Sequence, residues 1–370
     1  MTSLRLGLGL ALLVALGACA PRGVMTMAPE GATLGAVQTL LVATSRAPDD
    51  GPGFLSAARS EAVGFARVEV SVPPERAPGT VRFPRGGVAN PATDFLTLRA
   101  ERLPDAEALV AEVDAALAGT PPDLREVVVF VHGFNTNFSE GLYRQAQMRH
   151  DFDMPGVSVN YAWPSRASVR AYASDRESAL FARDGLEVTL RALARTGATR
   201  IILVGHSMGA FLAMETARQI GLGPDPDLGG KFAAVALIAP DIDLDVFRTQ
   251  KARVIDMDVP TYLFVSGRDR ALQLSSRLRG ADRRLGSVID PAEFAGLTVT
   301  VIDMTDVGAP GDRLGHFKVA TSPTMIAFMG GMDENGVRMF REEARRPNLF
   351  EVTVNVVQDV TEVVLGAVVP

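Results

Sequence analysis

Six short apolar runs between residues 126 and 303 constrain the fold of this chain more than any other feature. Turn residues or helical patterns separate each run from the next, and β-branched residues are frequent in the runs. They read EVVVFV, VSVNYAW, IILV, FAAVALIA, TYLFVS and LTVTVID. Strands without polar alternation are buried on both faces, which is typical of a parallel sheet covered by its crossover helices. The sequence therefore predicts an α/β fold with a mostly parallel central sheet and helices on both faces.

Two earlier runs, TLLVAT and FARVEVSV, predict a different kind of pairing, because the second alternates polar and apolar residues. Such alternation favours strands with one exposed face, so we expect a β-hairpin at the N-terminal edge of the sheet. The chain has no internal repeat, and residues 37–332 are predicted to form one domain. The tail, residues 333–370, includes FEVTVNVVQDVTEVVLG and forms an extension whose role is open.

The N-terminus predicts an export signal over residues 1–18. It has one arginine, an apolar core from Leu6 to Leu16 and then small residues that lead into Cys19. This apolar run is too short for a permanent membrane-spanning helix of about 20 residues. The sequence LGAC resembles a bacterial lipobox, in which cleavage leaves a lipid-modified cysteine, and a plain secretory signal is the alternative. Residues 19–36 are rich in Pro and Gly and are predicted to be a flexible tether.

Cys19 is the only cysteine in the chain, which excludes an internal disulfide and a thiolate metal cluster. Lipid attachment is therefore its predicted role, and the membrane is the partner that such an anchor implies. The alanine that follows it resembles the signal of outer-membrane lipoproteins that face the periplasm of the bacterial envelope. The formal net charge of −6 and the lack of a basic, aromatic stripe argue against nucleic-acid binding. The sequence indicates no protein partner.

The serine of GHSMG is the strongest candidate nucleophile. It follows the apolar run IILV and precedes AFLAMETARQI, whose apolar spacing predicts a helix. A nucleophile elbow requires this order of strand, sharp turn and helix. Gly205 and Gly209 let the backbone approach closely and leave the hydroxyl of Ser207 exposed at the end of the strand. A tight turn without chemistry is the alternative interpretation.

A serine hydroxyl needs an adjacent base that a third group orients, and the chain has only four histidines. His206 belongs to the elbow, His132 opens the loop HGFN, and His150 ends a predicted helix. His316 follows the last apolar run, in DRLGHFKVA, and completes the chain order serine, acid, histidine. We therefore predict that His316 is the base, with an exposed loop histidine as the alternative.

Several aspartates are candidates for the acid, whose task is to fix the imidazole tautomer and stabilise its cation. Asp269 in FVSGRDRAL is preferred, because it lies just past the run TYLFVS. Asp241 follows the preceding run and is an alternative. Asp303 and Asp306 are closer in sequence to His316 and are also alternatives.

Two backbone amides are predicted to stabilise the oxyanion. Met208 directly follows the nucleophile and Phe134 lies in HGFN, so their N–H groups are the candidate donors. His132 and Gly133 support this loop, and Gly133 allows its backbone to approach the substrate carbonyl. The remaining histidines have no metal-ligand spacing, so the sequence predicts neither a metal nor a cofactor.

Five ordered blocks resemble the bacterial alpha/beta hydrolases of the DUF900 group, from about Leu40 to Phe328. They are VVVFVHGFNTNFSEGLYRQAQMRHDF, YAWPSRASVRAYASDRESA, LVGHSMGA, LIAPDIDLDVF and YLFVSGRDRAL. The resemblance implies the α/β-hydrolase fold, a triad of Ser207, Asp269 and His316, and esterase-like or lipase-like cleavage of a carboxylic ester. The expected substrate is a small or lipid-like acyl compound. The alternatives are an acyltransferase with the same triad and a non-catalytic binding or scaffolding lipoprotein on a hydrolase fold.

Overall fold

The structure is a computed structural model of the 370-residue chain. It describes residues 22–29, 35–51, 53–85, 88–254, 257, 259–279, 283–309, 312, 314–323, 325–326, 351–357 and 360–366. The predicted signal peptide, residues 1–18, and the predicted lipidation site Cys19 lie outside these residues. None of the described helices is long and apolar enough to cross a bilayer.

One eleven-stranded sheet organises the described part of the chain. Its strands are β1 (Ala36–Pro48), β2 (Leu55–Val72), β3 (Leu96–Leu103), β4 (Glu126–Val131), β5 (Val157–Ala162), β6 (Arg200–His206), β7 (Phe232–Ile238), β8 (Thr261–Val265), β9 (Thr300–Asp303), β10 (Glu351–Val357) and β11 (Val360–Gly366). The order across the sheet is β10-β11-β9-β8-β7-β6-β4-β5-β1-β2-β3. Every neighbouring pair from β11 to β1 is parallel, so the predicted parallel sheet is confirmed.

The N-terminal edge of the sheet is antiparallel, as the alternation in FARVEVSV predicts. β1 pairs antiparallel with β2, which confirms the hairpin. The other side of β1 pairs in parallel with β5, so the hairpin continues the central sheet. The outer edge is β3, which pairs antiparallel with β2 and which no apolar pattern in the sequence predicts.

Helices cover both faces of the sheet. They are α1 (Ala106–Leu117), α2 (Phe138–Asp151), α3 (Tyr172–Phe181), α4 (Arg183–Ala194), α5 (Met208–Gly221), α6 (Leu244–Val254), α7 (Arg270–Arg279) and α8 (Lys318–Thr321). Apolar residues of α1, α4, α5 and α6 pack in the largest buried cluster, on one face. Those of α2 and α8 pack on the opposite face, so both faces of the central strands are buried.

The motif SDRE, from Ser174 to Glu177, is typical of a capping box and predicts that one helix begins there and extends to about Thr196. The structure instead has two helices that meet at Ala182, and Ser174 caps neither of them, because α3 already begins at Tyr172. The Ser174 hydroxyl instead donates to the carbonyl of Ala171 within the first turn, at 3.0 Å.

Residues 22–29, part of the predicted tether, form hydrogen bonds with β3. The N–H of Ala28 donates to the carbonyl of Thr97 on β3 (2.8 Å), and the N–H of Thr97 donates to the carbonyl of Thr26 (2.9 Å). Met25 is buried among apolar residues of the domain. Composition does not predict these contacts, because they join the segment to β3 and follow from no pattern within the segment.

The C-terminal extension contributes two strands to the same sheet. β11 pairs in parallel with β9, and β10 pairs antiparallel with β11 at the far edge. Alternation of valine with polar residues in VTVNVV and VTEVV is typical of such strands. The extension therefore continues the sheet of residues 37–332.

The strands β4, β6, β7, β8 and β9 bring the predicted site together. HGFN and SGRD directly follow β4 and β8, GHSMG and LIAPD contain the last residues of β6 and β7, and GHF comes later in the chain, after β9. Because the carboxyl ends of parallel strands meet at one edge of a sheet, these loops all lie at that edge.

Candidate active site

Ser207 lies in a sharp turn between β6 and α5. Its φ of 54° and ψ of −118° belong to a region that residues other than glycine rarely adopt. Two backbone bonds hold the turn against the next strand. The N–H of Ser207 donates to the carbonyl of Ile238 (2.9 Å), and the carbonyl of Ser207 accepts from the N–H of Asp241 (3.1 Å). This is the strained, firmly held conformation that a nucleophile elbow requires.

Glycine is required on both sides of Ser207, because α5 begins very close to the preceding strands. A Cβ on Gly205 would lie 2.6 Å from the Cα of Ala210. A Cβ on Gly209 would overlap with the carbonyl oxygen of His132. Close backbone packing thus explains the two glycines of GHSMG. Ser207 lies between them, at the tip of the turn.

His316 and Asp269 lie in direct contact, with 2.7 Å between His316 Nδ1 and Asp269 Oδ2. The second oxygen of the fully buried Asp269 accepts the N–H of Leu272 at 3.0 Å, which orients the carboxylate at the start of α7. Burial lowers the pKa of His316, but the hydrogen bond and the negative charge of Asp269 outweigh it. The pKa of His316 is therefore raised above its ordinary value.

The His316 ring lies over the elbow. Its centroid is 4.8 Å from that of His206, the residue that precedes the nucleophile, and the Nε2 of His206 lies 3.2 Å from the carbonyl of His316. Burial, together with the charge of His316, holds the pKa of His206 well below its ordinary value. His206 is therefore a neutral ring that packs beside the candidate base.

Asp241 belongs to a different network. Its Oδ2 accepts the hydroxyl of Tyr172 (2.5 Å) and its Oδ1 accepts the hydroxyl of Ser275 (2.9 Å). The Nε of the buried Arg284 lies 3.4 Å from Oδ1, without the alignment of a hydrogen bond. These contacts commit both oxygens of Asp241 and do not support its alternative assignment as the acid.

The other alternative acids also have partners of their own. Asp303 Oδ1 accepts both the N–H and the hydroxyl of Thr305, at 2.8 and 2.5 Å. Asp306 forms an ion pair with Arg268 at 2.7 Å. Asp269 is thus the carboxylate that the structure brings to His316, and the assignments to Asp303 and Asp306 are not supported.

The HGFN loop lies directly against the elbow. A Cβ on Gly133 would stand 3.1 Å from the Cβ of Ser207 and 2.7 Å from the Nδ1 of His206. Met208 is the first residue of α5, and the first amides of a helix have no acceptor within it. The amides of Met208 and Phe134 accordingly remain the candidate oxyanion donors, one on each side of the nucleophile.

His132 supports the HGFN loop through its ring and its carbonyl. The ring stacks on Trp163, with 5.1 Å between centroids, and the Trp163 Nε1–H donates to the His132 carbonyl at 2.7 Å. Burial and the nearby charge of Arg46 lower the pKa of His132 to about 3, so the ring is neutral. Trp163 is fully buried and acts as packing behind this loop.

Two arginines that the sequence analysis missed hold the same loop. Arg46, at the end of β1 and 3% exposed, donates to the carbonyl of Thr136 at 3.3 Å. Arg22 donates to the carbonyl and the side-chain oxygen of Asn135, at 2.7 and 3.1 Å. For Arg46 the sequence does contain a signal, because a charged residue ends the apolar run LLVATSR, and an arginine buried there needs hydrogen-bond acceptors.

A capping box fixes the start of α2 next to the loop. Asn137 Oδ1 accepts the N–H of Glu140 (2.9 Å), and Glu140 Oε2 accepts the N–H of Asn137 (3.0 Å). The same carboxylate pairs with Arg22 at 2.5 Å, which joins the N-terminal segment to the helix. The pattern N-x-x-E in NFSE is the sequence signal for this cap.

Together these observations define a class of protein. A strained serine between β6 and α5, an ordered histidine and aspartate pair, and a loop over the elbow are the features of an α/β hydrolase. Residues 111–331 match the family described as alpha/beta hydrolase of unknown function (DUF900), and the chain belongs to this family. The family predicted from the five ordered blocks is therefore confirmed. No curated protein matches the chain.

Solved structures of similar fold include hydrolases. An inhibited esterase B from Lactobacillus rhamnosis has 13% identity and a TM-score of 0.39, over 92% of this chain and 94% of that chain. A putative hydrolase from Agrobacterium vitis S4 has 12% identity and a TM-score of 0.33, over 82% of this chain and 98% of that one. Likeness at this level assigns neither an activity nor a substrate.

Proposed function

We propose that this protein is a serine hydrolase that cleaves a carboxylic ester, or a related acyl bond, through an acyl-enzyme. The observation that carries the proposal is the 2.7 Å contact of His316 Nδ1 with Asp269 Oδ2 beside the strained Ser207. A buried carboxylate in this position fixes the tautomer in which Nε2 is free of its proton and able to accept one.

In the proposed reaction, the Oγ of Ser207 attacks the acyl carbonyl carbon while His316 Nε2 takes the hydroxyl proton. Asp269 stabilises the imidazolium that forms, and the amides of Met208 and Phe134 donate to the oxyanion. Loss of one such donor typically raises the barrier by about 3 to 4 kcal/mol. The imidazolium then protonates the leaving group, and water releases the acyl group by the same steps.

Acyl transfer is a second candidate, because an alcohol or amine could take the place of water with no change in the triad. A purely binding role is less well supported. A strained backbone such as that of Ser207 persists only where surrounding contacts hold it in place. Strained residues of this kind are found most often at active sites. The bond from the Ile238 carbonyl to the Ser207 amide supplies this constraint here.

We further propose that lipid at Cys19 anchors the enzyme in the bacterial envelope, on the periplasmic side of the outer membrane. Cys19 precedes Arg22 by three residues, which span at most about 11 Å. Because Arg22 contacts Asn135 in the HGFN loop, an anchor at Cys19 would hold the site close to the membrane surface. A lipid-like or membrane-associated acyl compound is then the expected class of substrate.

The test is covalent labelling with a neutral alkyl fluorophosphonate in cell fractions, followed by mass spectrometry of the labelled peptide. We expect label on Ser207 alone, in the outer-membrane fraction, and none on a Ser207→Ala variant. The matched control is Ser275→Ala, which removes a neighbouring serine that bonds to Asp241 and should retain the label. A Cys19→Ser variant should keep the label but lose its membrane location.

Two results would count against these proposals separately. A folded protein, checked by circular dichroism, that takes no label at Ser207 contradicts the hydrolase. Label that stays in the membrane fraction after Cys19→Ser contradicts the anchor and leaves the hydrolase in place.

A further inference from the structure

A cavity of about 240 Å³ lies beside the elbow and is not used by the mechanism described above. Gly133 and His206, both next to the nucleophile, line one end of it. Arg144 of α2 brings a guanidinium to its wall. Most of the remaining wall is apolar and comes from Val81, Phe83, Phe130 and Phe317.

The position of Gly133 places the cavity next to the candidate nucleophile. A Cβ there would lie 3.1 Å from the Cβ of Ser207, so a residue of the cavity wall packs directly against Ser207. The cavity volume of about 240 Å³ is below the roughly 300 to 1,000 Å³ of pockets for drug-sized ligands. This size suits a short acyl chain rather than a long one.

Arg144 has only neutral hydrogen-bond partners in the described structure. Its Nη1 donates to the carbonyl of Gly79 (2.9 Å) and to Oε1 of Gln147 (2.8 Å). The guanidinium also lies 5.4 Å from the centroid of the Phe317 ring. Among the described residues, no carboxylate oxygen comes within the 4.0 Å of an ion pair with it. A half-buried guanidinium with these partners can bind a carboxylate.

Asp312 and Asp151, whose negative charges act on Arg144, are committed to other groups. Asp151 forms an ion pair with Arg76, and Asp312 accepts backbone N–H groups of its own loop. Glu140, which also lines the cavity, is held by its capping box and by the N-terminal segment. Burial lowers the pKa of Arg144 to about 10, so the guanidinium keeps its charge at neutral pH.

We propose that this cavity binds the acyl part of the substrate and that Arg144 binds a carboxylate at the far end of that acyl chain. The inference rests on the proposed function and narrows its substrate class to monoesters of short dicarboxylic acids. A glutaryl group, with five carbons and three oxygens, is a short acyl chain of this kind that ends in a carboxylate.

The chemical step is unchanged by this binding. The bond from the acyl carbon to the alcohol oxygen breaks, and a bond from that carbon to Ser207 Oγ forms. The serine proton passes through His316 to the leaving alcohol, while the distal carboxylate stays ionised against Arg144 throughout. Water then releases the free dicarboxylic acid.

The test compares two esters on the full-length protein in detergent: mono-p-nitrophenyl glutarate, which is anionic, and p-nitrophenyl pentanoate, which is neutral. The measured quantity is the ratio of kcat/KM for the anionic ester to that for the neutral ester. We expect a ratio of about ten or more in the wild type, and a fall of about tenfold or more in Arg144→Gln. Arg144→Lys should give an intermediate ratio, because it keeps the charge but loses the planar fork.

The matched control is Arg149→Gln on the same helix. The Arg149 guanidinium bonds to the hydroxyl of Ser158, away from the cavity, so this variant should keep the wild-type ratio. A folded Arg144→Gln that keeps the wild-type ratio overturns the inference. Ser207 labelling by the neutral fluorophosphonate in that same sample would show that the hydrolase itself still stands.

A binding measurement covers the case in which Arg144→Gln does not fold. In the wild type, free glutarate should slow labelling of Ser207 by the neutral fluorophosphonate, whereas its uncharged diamide should not. Equal effects of glutarate and the diamide overturn the inference. An unlabelled Ser207 in the absence of either compound overturns the proposed function instead.

Discussion

Two buried aspartates lie at the ends of neighbouring strands, but their carboxylates have different partners. Asp241 follows β7 and is 2% exposed, and Asp269 follows β8 and is 0% exposed. Asp269 gives one oxygen to a backbone amide and the other to His316, a group that changes its protonation state in the proposed reaction. Asp241 gives its oxygens to the hydroxyls of Tyr172 and Ser275, which do not change theirs.

The difference shows that burial and a place at a strand end do not by themselves bring a carboxylate to the proposed base. What distinguishes Asp269 is one oxygen left for an imidazole after the other is fixed by its own loop. Asp241, with both oxygens bound and Arg284 close by, is a structural carboxylate. It still influences the site, since its charge raises the pKa of His316, although less than that of Asp269 does.

The largest effect is expected for Asp269→Asn. The amide keeps the shape of the side chain but removes the charge and favours the wrong tautomer of His316. We expect kcat for a neutral p-nitrophenyl ester to fall about 10⁴-fold. Asp241→Asn, compared per folded molecule, should stay within about tenfold of the wild type. If the two variants lose activity equally, the separation between the two aspartates is wrong.

The sequence predicts the fold well because the fold depends on local patterns. Apolar runs mark the central strands, and the order of the runs places GHSMG, SGRD and GHF after β6, β8 and β9. The carboxylate that contacts His316 is harder to predict, because Asp241, Asp269 and Asp303 all lie at strand ends. Only the conformations of the loops decide which carboxylate reaches His316, and no periodicity encodes them.

Contacts across long sequence separations account for what the sequence did not predict. Arg46 reaches Thr136 across 90 residues, and Arg22 reaches Asn135 across 113 residues. Neither arginine belongs to a motif, since each acts by donating to backbone oxygens of a loop formed elsewhere. The contacts of residues 22–29 are absent from the sequence pattern for the same reason, because their partner is β3.

The second largest effect is expected on stability. Here Asp241→Asn should have the larger effect, whereas Asp269→Asn has the larger effect on activity. Asp241→Asn leaves the guanidinium of Arg284, which is 1% exposed, without its carboxylate. We expect the free energy of unfolding to fall by about 3 kcal/mol, the lower end for breaking a buried ion pair. Urea unfolding followed by circular dichroism measures it. An Asp241→Asn/Arg284→Met double variant should recover part of the loss, and a single variant as stable as the wild type would refute the structural role.

The smallest expected effect is a shift in the pH profile. It is the most direct test of how much the charges of Asp269 and Asp241 each raise the pKa of His316. The base in the proposed mechanism is neutral His316, whose pKa lies above its ordinary value of about 6.5, because Asp269 outweighs the lowering by burial. kcat/KM should therefore fall as the pH drops through that raised pKa and level off above it. Residual activity in Asp269→Asn should show this acid limb moved to lower pH, and Asp241→Asn should move it in the same direction by less. Since the limb reports charge at the histidine and not folding, a larger shift in Asp241→Asn would mean that Asp241 governs His316.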